Sequence, residues 1–298
     1  MWRAFRYPRI AQGDTEMSRQ PVDRTVEIEG GISLHYVEAG EGRPLIIIPS
    51  WSLTGAWYQH QLRELSHARR VISLDMRGHG ESSTPDNGYR VSRLAVDLRA
   101  VIEALDLDEV DLMGHSIGSS IIWSYYDLFG DYRLGRMVFV DQAPSVTAKP
   151  DWSEEEIVTY GCLLPDFPAL AEFYLAVRGA ETAEETAPLV ARLFSPSLPA
   201  DELLYFASEI VKRPRRHAAA LFYNHCSLDW RDVIKTIRLP SLVVGAEASI
   251  FSAESQIWIA DQIPGAEVEI FKVDEGGSHF MCYENPAKFN ALVDAFLT

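Results

Sequence analysis

Gly114-His115-Ser116-Ile117-Gly118 separates an apolar run, Val110-Asp111-Leu112-Met113, from a helix-forming segment that begins at Ser119. A G-x-S-x-G placed between a strand and a helix is a nucleophile elbow. It forces Ser116 onto a sharp turn, and the glycines two residues to either side remove the Cβ atoms that would clash there. The hydroxyl is lifted clear of the backbone. The same turn aims the Ile117 N–H and the positive end of the following helix toward that hydroxyl, so an oxyanion formed there would be stabilised.

The composition narrows what surrounds this turn. A chain of 298 residues with 47% hydrophobic content is long enough for one large globular unit with an insertion. The net charge of -16 disfavours nucleic acid and anionic membranes as partners. Cys162, Cys226 and Cys282 are widely spaced, which suggests neither a zinc site nor a disulfide framework and fits a reducing cytoplasm. No run approaches a transmembrane helix in length. The segment from Met1 to Arg19 is basic and aromatic, without the apolar stretch of a secretory signal. It reads as a loosely packed extension, ending near residue 22, from which Trp2, Phe5 and Tyr7 could dock.

Strand and helix signals alternate along the rest. Thr25 to Ile28 and Ile32 to Glu38 flank Gly30-Gly31 as a hairpin. Leu45 to Pro49, Arg70 to Met76, Asp111 to Met113, Met137 to Val140, Ser241 to Val244 and Val268 to Val273 read as strands; the first two are apolar runs of the kind buried on both faces. Helical spacing covers Ala56 to Ser66, Val91 to Leu105 and Pro286 to Leu297. This order predicts an α/β fold with a mostly parallel, doubly wound sheet covered on both faces.

From about Ser145 to Val233 the pattern is helical, with prolines and many aromatics but no convincing strand. The expected organisation is therefore a core over 23–144 and 234–298, with a helical cap over 145–233 inserted between two strands. Most of its rings serve as the cap's own core, and a few line a pocket beneath it.

The elbow, the segment Asp75-Met76-Arg77-Gly78-His79-Gly80-Glu81-Ser82 and the C-terminal Gly276-Gly277-Ser278-His279-Phe280 together resemble the α/β-hydrolase superfamily. The resemblance spans roughly Val26 to Phe296 and is greatest to the capped, haloperoxidase-like serine esterases and lactonases. It implies that Trp51-Ser52-Leu53-Thr54-Gly55 and the following helix form the loop and first helix after the third strand. That loop usually opens with His-Gly; here Pro49-Ser50 stands in its place, leaving the Trp51 N–H as the second oxyanion donor beside Ile117. By the same resemblance Asp75 and His79 belong to a structural turn, and His115 supports the elbow.

His279 alone among the eight histidines follows the last strand, in a loop that would carry it over Ser116 as the base. In relatives the acid usually follows the strand Ser241 to Val244, but Gly245-Ala246-Glu247-Ala248-Ser249 has alanine at the expected position. Two carboxylates remain, Asp141 at the end of the preceding strand and Glu247. Asp141 is favoured, and Glu247 stays the alternative. The implied chemistry is hydrolysis of a carboxylic ester or lactone through an acyl-serine, with no metal or organic cofactor and with an apolar or aromatic small molecule as substrate. C–C bond hydrolysis, perhydrolysis and a receptor role on the same fold are the alternatives. A serine at the elbow argues against dehalogenase and epoxide hydrolase chemistry, which uses aspartate there.

Overall fold

All six residues of the elbow strand are buried, which places it in the middle of the sheet. In a computed structural model, which describes residues 20–298, eight strands form one sheet: β1 (Val22–Ile28), β2 (Ile32–Ala39), β3 (Pro44–Ile48), β4 (Arg70–Leu74), β5 (Val110–His115), β6 (Leu134–Val140), β7 (Ser241–Ala246) and β8 (Glu267–Phe271). Their spatial order is β1-β2-β4-β3-β5-β6-β7-β8. β2 pairs antiparallel with β1 and β4, and the remaining pairings are parallel. The expected hairpin is β1 and β2. The extension read over Met1 to Arg19 lies outside the described residues.

Helices cover both faces, as buried parallel strands require. The connecting helices are α1 (Gln59–Leu65), α2 (Val91–Ala104) and α3 (Ile117–Phe129). Between β6 and β7 come α4 (Glu154–Thr159), α5 (Phe167–Gly179), α6 (Ala183–Val190), α7 (Ala200–Val211), α8 (Arg215–Cys226) and α9 (Arg231–Ile234); the chain closes with α10 (Ala253–Gln262), α11 (Met281–Glu284) and α12 (Pro286–Leu297). Ile46, Ile48, Ile72 and Leu112 pack against α2 and α3 through Leu98, Ile102, Ile121 and Ile122. On the other face Leu45, Ile47, Val71 and Met113 meet α1 and α12 through Leu62, Leu65, Phe289 and Val293. Alternate residues of one strand thus feed opposite cores.

The chain leaves β3 toward β4 on one side and returns to β5 on the other. That reversal is a switch point at the carboxyl ends of β3 and β5, where the ligand crevice of open α/β sheets lies. The loop carrying Trp51 and the elbow carrying Ser116 flank it.

The helices α4 to α9 lie between β6 and β7 without a strand of their own, apart from isolated bridges at Ser145 with Asp229 and Thr147 with Leu164. They seat on the loops at this edge: Trp51 against Phe222 at 5.2 Å, Trp57 stacked on Phe206 at 4.0 Å, and Phe280 stacked on Phe194 at 4.6 Å between ring centroids. Among the described residues no helix is long and apolar enough to cross a membrane.

Several boundaries differ from the sequence reading. The post-elbow helix starts at Ile117, not Ser119, because the whole turn is made by Ser116 itself. The Ala56 to Ser66 helix opens as a tighter turn over Gly55–Tyr58 before α1. α10 carried no clear expectation: its apolar positions fall on no single stripe, and its only sharp signal is Ser252, whose side chain accepts from the Ser255 N–H.

Candidate active site

Ser116 adopts φ 56° and ψ -123°, a region that non-glycine residues seldom enter. Its neighbours explain how the turn closes. A Cβ on Gly118 would lie 2.2 Å from the Ile48 carbonyl oxygen, and one on Gly114 would lie 2.4 Å from the Gly118 carbonyl carbon, so both positions must lack a side chain for α3 to approach β3 and β5. The Ser116 N–H donates to the Val140 carbonyl at 2.8 Å, and the Ser119 N–H and hydroxyl donate to the carbonyls of Ser116 and Gly114. At the N-terminus of α3 the Ile117 N–H has no partner within the helix. Ser116 is buried, with 7% exposure.

Asp141 stands one residue past the end of β6, beside the elbow strand. Its φ of 45° is again positive, and its N–H donates to the Val244 carbonyl at 2.7 Å. Held this way, its Oδ2 accepts from Nδ1 of His279 at 2.5 Å and from the hydroxyl of Ser249. Glu247, the alternative acid, is not brought to His279. Its carboxylate accepts instead from the Val273 N–H at 3.1 Å, because its backbone N–H is tied to the Phe271 carbonyl in the β8 ladder and the side chain turns outward. Sequence reasoning passed over Ser249, which sits one residue beyond the position where relatives carry the acid and sends its hydroxyl to Asp141.

Burial controls the charge of this pair. It pulls the His279 imidazole down to about 3, which favours the neutral ring. Burial pushes the Asp141 carboxyl up, and the Ser249 hydroxyl opposes that by donating to it. With Nδ1–H committed to Asp141, the lone pair of His279 is on Nε2.

His115 joins the elbow to the His279 loop. Its Nε2–H donates to the His279 carbonyl at 2.8 Å, so Nδ1 is the acceptor for the Tyr58 hydroxyl at 2.8 Å. The Tyr58 oxygen in turn accepts the Ser50 N–H at 3.0 Å. One chain of hydrogen bonds thus links the loop after β3, the elbow and the loop after β8. Ser50 also begins a turn closed by the Leu53 N–H at 3.1 Å, with Ser52 at φ 62°. In such a turn the N–H of the second residue, Trp51, is left out of the closing bond. The Trp51 indole N–H donates to the Ala218 carbonyl of α8 at 3.0 Å, which fastens the insertion to this loop.

His225 of α8 is buried, its ring pulled down to about 3 by burial and then by the proximity of His279. Asn224 faces away and accepts the Val91 N–H at 2.8 Å, at the start of α2. Asp75 and His79 occupy the structural turn: Asp75 accepts from the Gly55 N–H at 2.7 Å and from His35 at 2.8 Å.

The chain is similar to a non-heme chloroperoxidase of Kitasatospora aureofaciens, 30% identical over 90% of this chain and 96% of the relative. In architecture it matches a bromoperoxidase of Bacillus anthracis (TM-score 0.81, 23% identity, 93% of this chain and 99% of the other). An esterase of Exiguobacterium antarcticum superposes equally well, with a TM-score of 0.82 and 21% identity over 93% of this chain and 100% of the other. Residues 43–286 match the model of the alpha/beta hydrolase fold, and the chain is an α/β hydrolase of that family.

Proposed function

We propose that the protein hydrolyses a carboxylic ester or lactone with an apolar or aromatic group, through an acyl-enzyme on Ser116. The observation that carries this reading is the buried His279–Asp141 hydrogen bond, tied through His115 to a strained serine on the elbow. Ser116 Oγ attacks the carbonyl carbon while Nε2 of His279 takes its proton, and the Ile117 and Trp51 N–H groups hold the oxyanion. The C–O bond then breaks, and His279 returns the proton to the departing alkoxide. A water molecule, deprotonated by the same imidazole, attacks the acyl-serine and releases the acid and the free serine. Asp141 holds the proton on Nδ1 and stabilises the imidazolium formed in both halves. The helices α4 to α9 serve as a lid that excludes water and shapes the acyl pocket. The free thiols of Cys162, Cys226 and Cys282 suit a reducing compartment such as the cytoplasm.

Turnover of p-nitrophenyl acetate and of a short lactone tests this directly. Wild type should cycle on one or both, and Ser116→Ala should lose at least about a thousandfold in kcat/KM. Ligand-induced stabilisation without turnover in wild type would instead favour a receptor.

A further inference from the structure

We propose that Arg213 and His217, at the seam between the helical insertion and the loop after β4, form a carboxylate-binding subsite separate from the acyl-transfer machinery. Arg213 lies in the turn between α7 and α8 with 6% exposure. One corner of its guanidinium is engaged: Nη1 donates to Nε2 of His79. His79 can accept there because its Nδ1–H is committed to the Arg77 carbonyl at 3.0 Å. Nε and Nη2 of Arg213 have no acceptor among the described residues. Those two groups share one edge of the guanidinium plane, and that edge holds both oxygens of a carboxylate in parallel hydrogen bonds.

His217 supplies a third donor. Its Nε2 accepts from Arg216 Nε at 2.9 Å, which puts the ring proton on Nδ1, and Nδ1 also lacks a partner among the described residues. Tyr89 brings the two side chains together. The His217 ring stacks on it with centroids 4.0 Å apart and planes 16° from parallel, and Arg213 Cζ lies 5.8 Å from the centroid. Two buried side chains that carry three N–H groups without an acceptor among the described residues therefore lie against one aromatic ring.

The charge balance points the same way. Burial pulls the Arg213 guanidinium down to about 9; Tyr89 opposes that shift and the nearby Arg215 adds to it. Asp86, whose charge acts on His217, is engaged at the exposed rim by Arg216 at 2.8 Å. A buried cation without a counter-ion is unfavourable, and the same deficit makes its free edge receptive to an anion. A planar monoanion with an apolar tail suits the seam better than a tetrahedral dianion, whose desolvation among aromatic side chains is the harder.

Calorimetric titration of benzoate, acetate and sulfate into the full chain tests the proposal. Benzoate should bind saturably to wild type and equally to Ser116→Ala, and loss of that binding in Arg213→Gln with ester turnover retained separates this subsite from the acyl pocket. Arg213→Lys, which keeps the charge but not the two-donor edge, should bind at least about tenfold more weakly, and Arg213→Gln should show no binding. Unchanged affinity in folded Arg213→Gln, no saturable carboxylate binding to wild type, or sulfate binding in place of benzoate would overturn it. A measurement on wild type alone guards against variants that misfold. Benzoate added to the 15N-labelled protein should move an arginine Nε–H resonance and a histidine Nδ1 resonance along one isotherm, and an unchanged spectrum counts against the subsite.

Discussion

Ser116 and Asp141 end adjacent strands with positive φ angles of 56° and 45°, each a conformation that costs on the order of 1–3 kcal/mol for a residue other than glycine. Ladder hydrogen bonds to Val140 and Val244 hold both, so the sheet sustains the strain and the side chains are fixed toward the crevice. If Asp141 orients His279, Asp141→Asn should lower kcat by roughly ten-thousandfold, as amide replacement does in a serine protease triad, while Glu247→Gln stays near wild type. Steady-state kinetics of both variants beside wild type checks the ranking. The buried imidazole also sets a pH signature. Because the folded pKa of His279 lies below the ordinary 6.5, the neutral base persists as pH falls, and kcat/KM should fall from pH 6 to 5 by less than it would with an unperturbed histidine. An unperturbed histidine would lose about eightfold across that unit. The residues Ser116 and His279 are legible in the sequence because each sits in a short glycine-bounded motif next to a strand. The Asp141–His279 contact is only half legible: alanine at position 248 leaves Asp141 and Glu247 as candidates, but nothing in the string reveals that Asp141 turns through a positive φ or that Glu247 faces outward. Ser249 reads as an ordinary turn serine until the fold brings it to Asp141.

At the scale of elements, the elbow depends on α3 lying unusually close to β3 and β5. A methyl group at position 118 would strike the Ile48 backbone, which cannot move without disturbing the central sheet. Gly118→Ala should destabilise the fold by about 2–3 kcal/mol, as overpacking does in rigid cores. Gly179, at the end of α5, has open space around its Cβ position and no positive φ; Gly179→Ala should be neutral or slightly stabilising. Denaturant unfolding of the two variants separates them, and equal losses would show that the close approach is not what requires glycine at 118. Helix periodicity is readable where one face meets the sheet, as in α2 and α12. It fails for α10, whose exposed Ile257 and half-buried Trp258 break the stripe.

Across the whole molecule, eight strands, two flanking layers and one helical insertion place the loops after β3, β5, β6 and β8 around a single crevice. The alternation of apolar runs and helical segments carries the layer architecture, since strands covered on both faces must be apolar throughout. The crossover order, with β4 outside β3, follows from long-range pairing that local patterns do not encode. The seat of the insertion is likewise set by contacts such as Trp51 with Phe222 and Trp57 with Phe206, whose partners are more than a hundred residues apart in the chain. All of this converges on one chemical claim, a covalent acyl group on Ser116. Rapid quenching of the protein with a p-nitrophenyl ester, followed by mass spectrometry of its peptides, tests it most directly. An acyl mass is expected on the peptide containing Ser116 and absent from Ser116→Ala. An acyl group on another residue, or ester turnover that continues in Ser116→Ala, would contradict it.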